Sequence, residues 1–148
     1  MYKNNFELCH KISLQSPDPD RKVGCVITDN KNIVLSCGYN DFPNGVNILK
    51  ERVTRPQKYH WIEHAERNAI YNAVKNGIKL NNSTMYINCF PCVNCSRAII
   101  QSGITNVVTL KPNLNDSKWG KDFAVSLEML KESEINIDFI DEKSETKI

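Results

Sequence analysis

Two short motifs contain side chains that can bind a metal ion and support hydrolysis. An H-x-E motif lies at residues 64–66, and a P-C-x-x-C motif follows at residues 91–95. If His64, Cys92 and Cys95 bind one Zn²⁺ ion, the tetrahedral coordination of zinc leaves a fourth position for water. Structural zinc sites are closed, whereas catalytic sites keep such an open position. The pattern therefore predicts one catalytic zinc ion per chain.

Glu66 is the candidate for moving protons at this site. It lies two residues after His64, so its carboxylate can face the open coordination position without being a ligand. Two thiolates cancel the charge of Zn²⁺ and leave the ion only moderately Lewis acidic, which makes a nearby base important for activating water. We therefore predict that Glu66 is the general acid and base.

The motifs also lie where two helices are expected to begin. A helix is predicted from residue 63 to 76 and another from 92 to 102, with a strand over 84–88 between them. Cys92 and Cys95 are three residues apart, so both thiols face one side of the first helical turn, where the helix dipole favours thiolate. Two adjacent helix starts are thus expected to converge on one ion.

The two motifs could also belong to a structural zinc site or a redox pair. A lone C-x-x-C motif is common in structural zinc sites and redox pairs, and a lone H-x-E motif means little. Both motifs together, each at a helix start, argue against a purely structural site. The remaining cysteines lie in apolar patterns and are predicted to be small core residues: Cys9, Cys25, Cys37 and Cys89. The other two histidines, His10 and His60, are expected at surface or packing positions.

The rest of the chain alternates between strands and helices, which predicts an α/β domain. A long loop over residues 40–59 contains two prolines and one glycine, and loops of this length usually serve function. The tail over residues 141–148 is expected to fray. The remaining predicted elements are a helix over 4–15, a hairpin of strands 23–28 and 33–39, a strand over 106–110, a helix over 122–132 and a strand over 135–140.

Composition and charge limit the classes of function. The chain has 148 residues, of which 41% are hydrophobic and 24% charged, so we expect a single globular domain over residues 1–148. A net charge of +2 argues against a nucleic-acid partner and favours a small-molecule substrate. The N-terminus lacks a signal-peptide pattern, and no apolar run approaches the roughly 20 residues that cross a bilayer. We expect no membrane association, a cytoplasmic location and reduced thiols.

Read with their flanks, the motifs resemble the cytidine deaminase superfamily, and most closely its deoxycytidylate deaminase branch. The handful of matching segments covers roughly residues 17 to 110, and the zinc motifs are the signature of nucleobase deaminases. The segments are residues 23–24, 38–40 with Pro43 and Gly45, 58–59, 64–70, 84–86, 90–95 and 99–104.

This resemblance implies a three-layer α/β/α fold with a central five-stranded mixed sheet of the cytidine deaminase type. It implies that His64, Cys92 and Cys95 bind zinc, that Glu66 shuttles protons and that Asn40 contacts the sugar 3′-hydroxyl. The implied reaction is the zinc-dependent hydrolytic deamination of deoxycytidine monophosphate (dCMP) to deoxyuridine monophosphate (dUMP) and ammonia, which supplies dUMP for thymidylate synthesis. Related enzymes form homo-oligomers, so a dimer or hexamer is expected.

Further substrate contacts are expected around this site. The resemblance implies that the backbone at Ala65 holds the pyrimidine carbonyl, with Pro91 also at the substrate. Phe90, Trp119 and Tyr39 are aromatic candidates for stacking on the base, with packing as the alternative role. A phosphate needs cations, and the basic residues near the predicted cleft loops are Lys22, Arg52, Arg55, Lys58, Arg67, Lys118 and Lys121.

Two departures from the family pattern qualify these expectations. Asp41 stands where the family usually has glycine, in a loop that helps bind a triphosphate effector in regulated members, which argues against feedback control by dCTP and dTTP. Residues 111–121 do not follow the pattern of the loop that helps bind substrate phosphate. The alternatives left open are deamination of CMP or dCTP, deamination of a base in RNA, and a non-enzymatic zinc module.

Overall fold

A five-stranded mixed sheet forms the centre of the computed structural model, which describes residues 2–141. The strand order is β2-β1-β3-β4-β5; β1 pairs antiparallel with both of its neighbours, whereas β3, β4 and β5 are parallel. The predicted mixed sheet of five strands is confirmed. The strands are β1 (Gly24–Thr28), β2 (Val34–Tyr39), β3 (Thr84–Ile87), β4 (Asn106–Leu110) and β5 (Asn136–Ile140).

Helices cover both faces of the sheet, as expected for three α/β/α layers. The first helix packs mainly against β1 on one face, and the third helix packs against β2 and β1 on the other, where the fourth and fifth helices also lie. The helices are α1 (Tyr2–Ser13), α2 (Lys58–Trp61), α3 (Ala65–Lys75), α4 (Val93–Gln101) and α5 (Gly120–Glu132).

Side-chain alternation in β1 explains why the sheet needs helices on both faces. Cys25 and Ile27 belong to the larger core cluster, beneath α3 and α4, whereas Val26 lies between them and packs towards α1. Successive residues of a strand point to opposite faces, and every residue of β1 is buried. A strand buried on both faces is mainly apolar, and Cys25, Val26 and Ile27 form such a continuous run in β1.

Several elements differ from the predicted secondary structure. Helix α1 begins and ends two residues earlier than predicted, and α3 begins two residues later. The predicted loop over residues 40–59 contains a 3₁₀ turn at Lys50–Arg52 and the first residues of α2. Helix α5 begins at Gly120, two residues before the predicted start. A Cβ atom at Gly120 would lie 2.3 Å from the carbonyl oxygen of Leu114, so glycine permits the close approach that starts the helix early.

One of the predicted core cysteines lies at the surface. Cys9 and Cys25 are buried and Cys89 is partly buried, but Cys37 is exposed. Strand β2 forms an edge of the sheet, and α1 covers β1 much more than it covers β2. Cys37 therefore lacks a covering helix, and the prediction of a core position for it was wrong. His10 and His60 are exposed, in line with surface positions.

Apart from Asp141, the tail predicted to fray over residues 141–148 lies outside the described residues. None of the helices within residues 2–141 combines the length and the hydrophobicity of a membrane-spanning segment.

Candidate active site

The three predicted zinc ligands lie together beside the sheet. His64 Nδ1 is 3.6 Å from Cys92 Sγ and 3.4 Å from Cys95 Sγ. Ligand bonds of about 2.0–2.3 Å in a tetrahedral arrangement place nitrogen and sulfur ligands about 3.5 Å apart. The observed spacing therefore fits a zinc ion bound by these three atoms, and it identifies Nδ1 as the coordinating nitrogen of His64.

Both motifs are positioned by the starts of helices. His64 immediately precedes α3 and Cys92 immediately precedes α4, each with an extended backbone conformation, and neither side chain caps its helix. The imidazole and the thiol are thus free to face each other across the two helix starts. Cys95 lies in the first turn of α4, one turn from Cys92, so both thiols reach the same point.

Residues from α5 and β4 support the loop that carries the cysteines. The Val93 amide donates a hydrogen bond of 3.1 Å to the Asp122 carboxylate, and the Ser126 hydroxyl donates one of 2.7 Å to the Pro91 carbonyl oxygen. The Thr109 hydroxyl donates a hydrogen bond of 3.1 Å to the Cys89 carbonyl oxygen. The metal-binding geometry therefore depends on residues that no local motif reveals.

The two thiols of the cluster have opposite pKa shifts because each is close to the other. The hydrogen bond from Cys95, followed by that from His64, lowers the pKa of Cys92 to about 3. The same contact between the two cysteines, together with burial, raises the pKa of Cys95. A divalent cation bound between them favours the thiolate form of both, because its charge outweighs their mutual repulsion.

A guanidinium group contacts the metal-binding cluster from the side. Arg67 Nη1 donates a hydrogen bond of 3.5 Å to Cys95 Sγ, and Arg67 Nε donates one of 2.7 Å to Glu63 Oε1. Glu63 also accepts a hydrogen bond of 2.9 Å from the His64 amide. The pair therefore orients two of the ligands and places a positive charge beside a thiolate. Arg67 was a candidate for phosphate binding, but in the structure its guanidinium group contacts Cys95 and Glu63.

Glu66 lies in the first turn of α3, where it lines the same pocket as His64 and Cys92. Its side chain is buried, with only 4% of its surface exposed. Burial raises the pKa of Glu66, because a carboxylate loses hydration in a low-dielectric environment. A carboxyl group with a raised pKa is suited to take up a proton and release it again near neutral pH.

The pocket contains most of the residues predicted to contact the base and the sugar, but two of them lie elsewhere. Of the seven candidate cations, only Arg55 and Lys58 line it. Pro91 does not line the pocket, and Tyr39 lines a separate cavity between β2 and α3. Tyr39 is on the edge strand, and Pro91 is a buried residue of the cysteine loop whose carbonyl oxygen accepts the hydrogen bond from Ser126. The predicted residues that line the pocket are Asn40, Lys58, Ala65, Phe90 and Trp119.

Asn40 and Lys58 both contact the segment over residues 18–23, which forms one wall of the pocket. Asn40 Oδ1 accepts a hydrogen bond of 2.9 Å from the Val23 amide, and Asn40 Nδ2 donates one of 2.8 Å to the Arg21 carbonyl oxygen. Lys58 Nζ lies 3.0 Å from both carboxylate oxygens of Asp18. Sequence reasoning missed Asp18 and Arg21 as pocket residues, since no motif distinguishes them from other charged loop residues.

Aromatic side chains close the opposite wall. Trp119 stacks on Phe123, with ring centroids 6.3 Å apart and an interplanar angle of 22°. Lys118 donates a hydrogen bond to the Tyr59 hydroxyl and lies 4.3 Å from the centre of its ring, which links the segment before α5 to α2. Through Trp119, this wall includes the segment over residues 111–121, whose sequence departs from the family pattern.

Comparison with known proteins places this site within a family. Residues 2–111 match the model of the cytidine and deoxycytidylate deaminase zinc-binding region. The chain belongs to this deaminase family. The family model describes a zinc-binding region, and the structure brings together a group of three side chains suited to one metal ion: His64, Cys92 and Cys95.

Individual relatives cover the chain to different extents. A probable deoxycytidylate deaminase of Caenorhabditis elegans is 41% identical over 103 residues, which cover 67% of this chain and 51% of the relative. The chain therefore spans about half the length of that protein. An uncharacterized deaminase of Aliivibrio fischeri, from the luxG 3′ region, is 33% identical and is matched over 93% of this chain and 92% of the relative.

The fold is shared with a solved structure. The crystal structure of dCMP deaminase from the cyanophage S-TIM5, in complex with dCMP and dUMP, has a TM-score of 0.76 to this chain. The match covers 93% of this chain and 95% of the cyanophage chain at 21% identity, so it establishes the common deaminase fold.

Proposed function

We propose that the protein is a zinc-dependent hydrolase that converts dCMP and water to dUMP and ammonia, and so supplies dUMP for thymidylate synthesis. The observation that carries this proposal is the buried Glu66 beside the His64, Cys92 and Cys95 group in one pocket. The C. elegans relative is described as a probable deoxycytidylate deaminase, and the cyanophage enzyme was crystallised with dCMP and dUMP. These relatives support the choice of substrate.

The reaction needs proton transfer, and Glu66 has the position for it. A zinc ion bound by the three ligands supplies Lewis acidity that lowers the pKa of a water molecule. Glu66 accepts one proton from the attacking water and donates it to N3 of the pyrimidine, and then transfers the remaining hydroxyl proton to the exocyclic amino group. The water oxygen forms a bond to C4 of cytosine, the C4–N bond breaks and ammonia leaves, so the reaction involves no change of oxidation state. Burial of Glu66 keeps other water away from these transfers.

Other pocket residues orient the substrate in this proposal. The backbone at Ala65, at the start of α3, offers N–H groups without partners inside the helix, which suit the pyrimidine carbonyl. Asn40 approaches the sugar, and Phe90 and Trp119 contact the base from the pocket walls. Each of these residues lines the pocket in which Glu66 lies.

The proposal extends to the organisation of the protein. We propose a single domain over residues 1–148, located in the cytoplasm, where reducing conditions maintain six free cysteines. We also propose a homo-oligomer, either a dimer or a hexamer. Apolar side chains on and beside an unpaired sheet edge support self-association, since Ile33 is 59% exposed and Val34 45% exposed.

A panel of substrates with one variant tests the proposal. Ammonia release would be measured for the zinc-loaded protein on dCMP, CMP, dCTP, deoxycytidine, cytosine and a short RNA. We expect selective turnover of dCMP, and Glu66→Gln should lower it by about 10²–10⁴-fold while zinc content and fold persist. Glu132→Gln, on the exposed side of α5, is the matched control.

The same panel separates the alternatives. Preferential turnover of CMP or dCTP would identify a different cytosine nucleotide as the substrate. Turnover of the RNA would identify a base in nucleic acid as the substrate. A zinc-loaded protein that deaminates nothing, and whose properties survive Glu66→Gln unchanged, would instead be a non-enzymatic zinc module.

A further inference from the structure

The outer edge of β2 faces away from the rest of the sheet, because β2 is an edge strand. The Asn40 amide donates a hydrogen bond of 3.2 Å to the Val23 carbonyl oxygen, so Asn40 directs its backbone towards β1, as does Gly38 two residues earlier. Cys37 and Tyr39 alternate with these residues and direct their backbone groups to the outer edge. Their carbonyl oxygens therefore accept hydrogen bonds from groups other than β1.

Two asparagines of α3 donate to these carbonyl oxygens. Asn72 Nδ2 lies 2.8 Å from the Cys37 oxygen, and Asn68 Nδ2 lies 2.9 Å from the Tyr39 oxygen. Residues four apart share a face of a helix, and residues two apart share a side of a strand, so the two hydrogen bonds are equivalent. They differ in position: one is made by the residue directly before Asn40, and the other is made farther from it.

Helix α3 and strand β2 approach each other closely because residue 38 is a glycine. A Cβ atom at Gly38 would lie 2.5 Å from the Ala69 nitrogen and 2.7 Å from the Ala65 oxygen, so a larger residue would push the helix away. The Ser36 hydroxyl also donates a hydrogen bond of 2.7 Å to the Ala69 carbonyl oxygen. The helix start that carries Glu66 is therefore held at a fixed distance from the end of β2.

The backbone after Asn40 is bound to the segment that leads into α3. Asp41 and Glu63 exchange two backbone hydrogen bonds, of 3.1 Å from the Asp41 amide and of 2.8 Å from the Glu63 amide. Glu63 directly precedes His64. The residues on both sides of Asn40 are therefore bound to the helix start that carries His64 and Glu66.

We infer that Asn68 is a positioning residue, which holds Asn40 at the distance from Glu66 that the sugar of the substrate requires. This inference rests on the proposed function, in which Asn40 approaches the sugar. Asn68 does not line the pocket, and it acts through the carbonyl oxygen of Tyr39. Asn72 makes the equivalent hydrogen bond farther from Asn40, so it attaches the strand to the helix without setting the position of Asn40.

Two substrates that differ at the sugar test this role. The ratio of kcat/KM for dCMP to kcat/KM for 2′,3′-dideoxycytidine monophosphate, which lacks the 3′-hydroxyl, would be measured for the wild type, Asn68→Ala and the matched control Asn72→Ala. Alanine removes the amide and favours the helix. Weakening one neutral hydrogen bond to the hydroxyl should lower the ratio about 2- to 10-fold in Asn68→Ala, chiefly through KM for dCMP. Asn72→Ala should keep the wild-type ratio, and zinc content should persist in both variants.

The matched pair of variants separates positioning from general support of the fold. A purely structural role predicts the same ratio for both variants, because each loses one hydrogen bond between α3 and β2. Equal ratios, whether at the wild-type value or below it, would therefore overturn the inference. If circular dichroism shows that Asn68→Ala does not fold, Asn68→Asp takes its place, since aspartate keeps the shape of the side chain and lacks the N–H donor. A wild-type ratio in that variant would equally overturn the inference.

Hydrogen exchange separates failure of this inference from failure of the proposed function. The Asn40 and Asp41 amides are both hydrogen-bonded, so their exchange rates, measured by NMR, report whether this stretch is held in place. If the wild type deaminates no nucleotide, the proposed function fails, yet faster exchange of these amides in Asn68→Ala than in Asn72→Ala would still support the positioning. Equal exchange in the two variants would count against it.

The wild type alone supplies one further outcome. If it deaminates dCMP and the dideoxy nucleotide equally well, Asn40 does not recognise the 3′-hydroxyl and has no sugar contact for Asn68 to set. The inference is then overturned, while the deaminase activity remains.

Discussion

The inner end and the mouth of the pocket are built in different ways. At the inner end, His64 and Glu66 come from one helix start, and Cys92 and Cys95 come from another. The mouth combines residues 18–21, α2 and the segment before α5, which lie far apart in the chain. Glu66, Cys92 and Cys95 of the inner end are buried, whereas the arginines of the mouth, Arg21 and Arg55, are exposed. Chemistry is thus specified by short local motifs, and substrate selection depends on long-range assembly.

Removal of a zinc ligand should have the largest effect. In Cys95→Ser the zinc content should fall well below one ion per chain and ammonia release should become undetectable, because three ligands are needed to hold the ion with an open position. Zinc would be measured by elemental analysis after dialysis against a weak chelator. Cys37→Ser changes an exposed cysteine and should retain both zinc and activity. Full zinc content in Cys95→Ser would remove this residue from the metal site.

Disruption of the buried ion pair at the mouth should mainly affect stability. Lys58→Met leaves the buried Asp18 carboxylate without its partner, which should cost about 3–5 kcal/mol of unfolding free energy. Urea denaturation would measure the loss, with the exposed Lys50→Met as the control. Zinc content should persist, since the pair contacts none of the three ligands.

A double variant sharpens this prediction. Asp18→Asn combined with Lys58→Met removes both charges, so it should be less destabilising than the sum of the two single changes. Strict additivity would mean that the two side chains do not stabilise each other, contrary to their contacts in the structure.

The smallest expected effect concerns acid stability. The hydrogen bond from Lys58 lowers the pKa of Asp20, so its ionised form is favoured in the folded state. That contribution is fully present above the ordinary pKa of an aspartate, about 3.9, and is lost as the pH falls through the lower pKa of the folded state. Asp20→Asn should therefore lower Tm slightly at pH 7, and the difference from the wild type should shrink in acid. An unchanged difference at pH 3 would argue against this pairing.

The main features of the fold could be predicted from local patterns. All five strands were expected, because the hydrophobic runs of β1, β3 and β4 and the turn residues around them are local signals. Helix α2 was missed, since four residues without apolar periodicity give no pattern, and the buried pair of Lys58 with Asp18 connects it to a distant segment. Cys37 was misplaced because the sequence does not show that β2 is an edge strand.

The charged residues of the site show the limit of sequence reasoning most clearly. Arg67 and Lys58 were both candidates for phosphate binding, yet one contacts Cys95 and the other is paired with Asp18 and Asp20. Arg21 was missed although it lines the pocket. Cations on loops look alike in sequence, and only their neighbours in space determine whether each charge is already neutralised.

Local patterns were enough to predict the three side chains that form the metal-binding group, the place of Glu66 beside them and the positions of the five strands along the chain, because helix starts and alternating hydrophobicity act over a few residues. The folded arrangement was needed to show which nitrogen of His64 faces the thiols, which side chains support the cysteine loop and which charged residues line the pocket. Those properties depend on distances between segments that are far apart in the chain, and burial sets the energetic cost of each charge there.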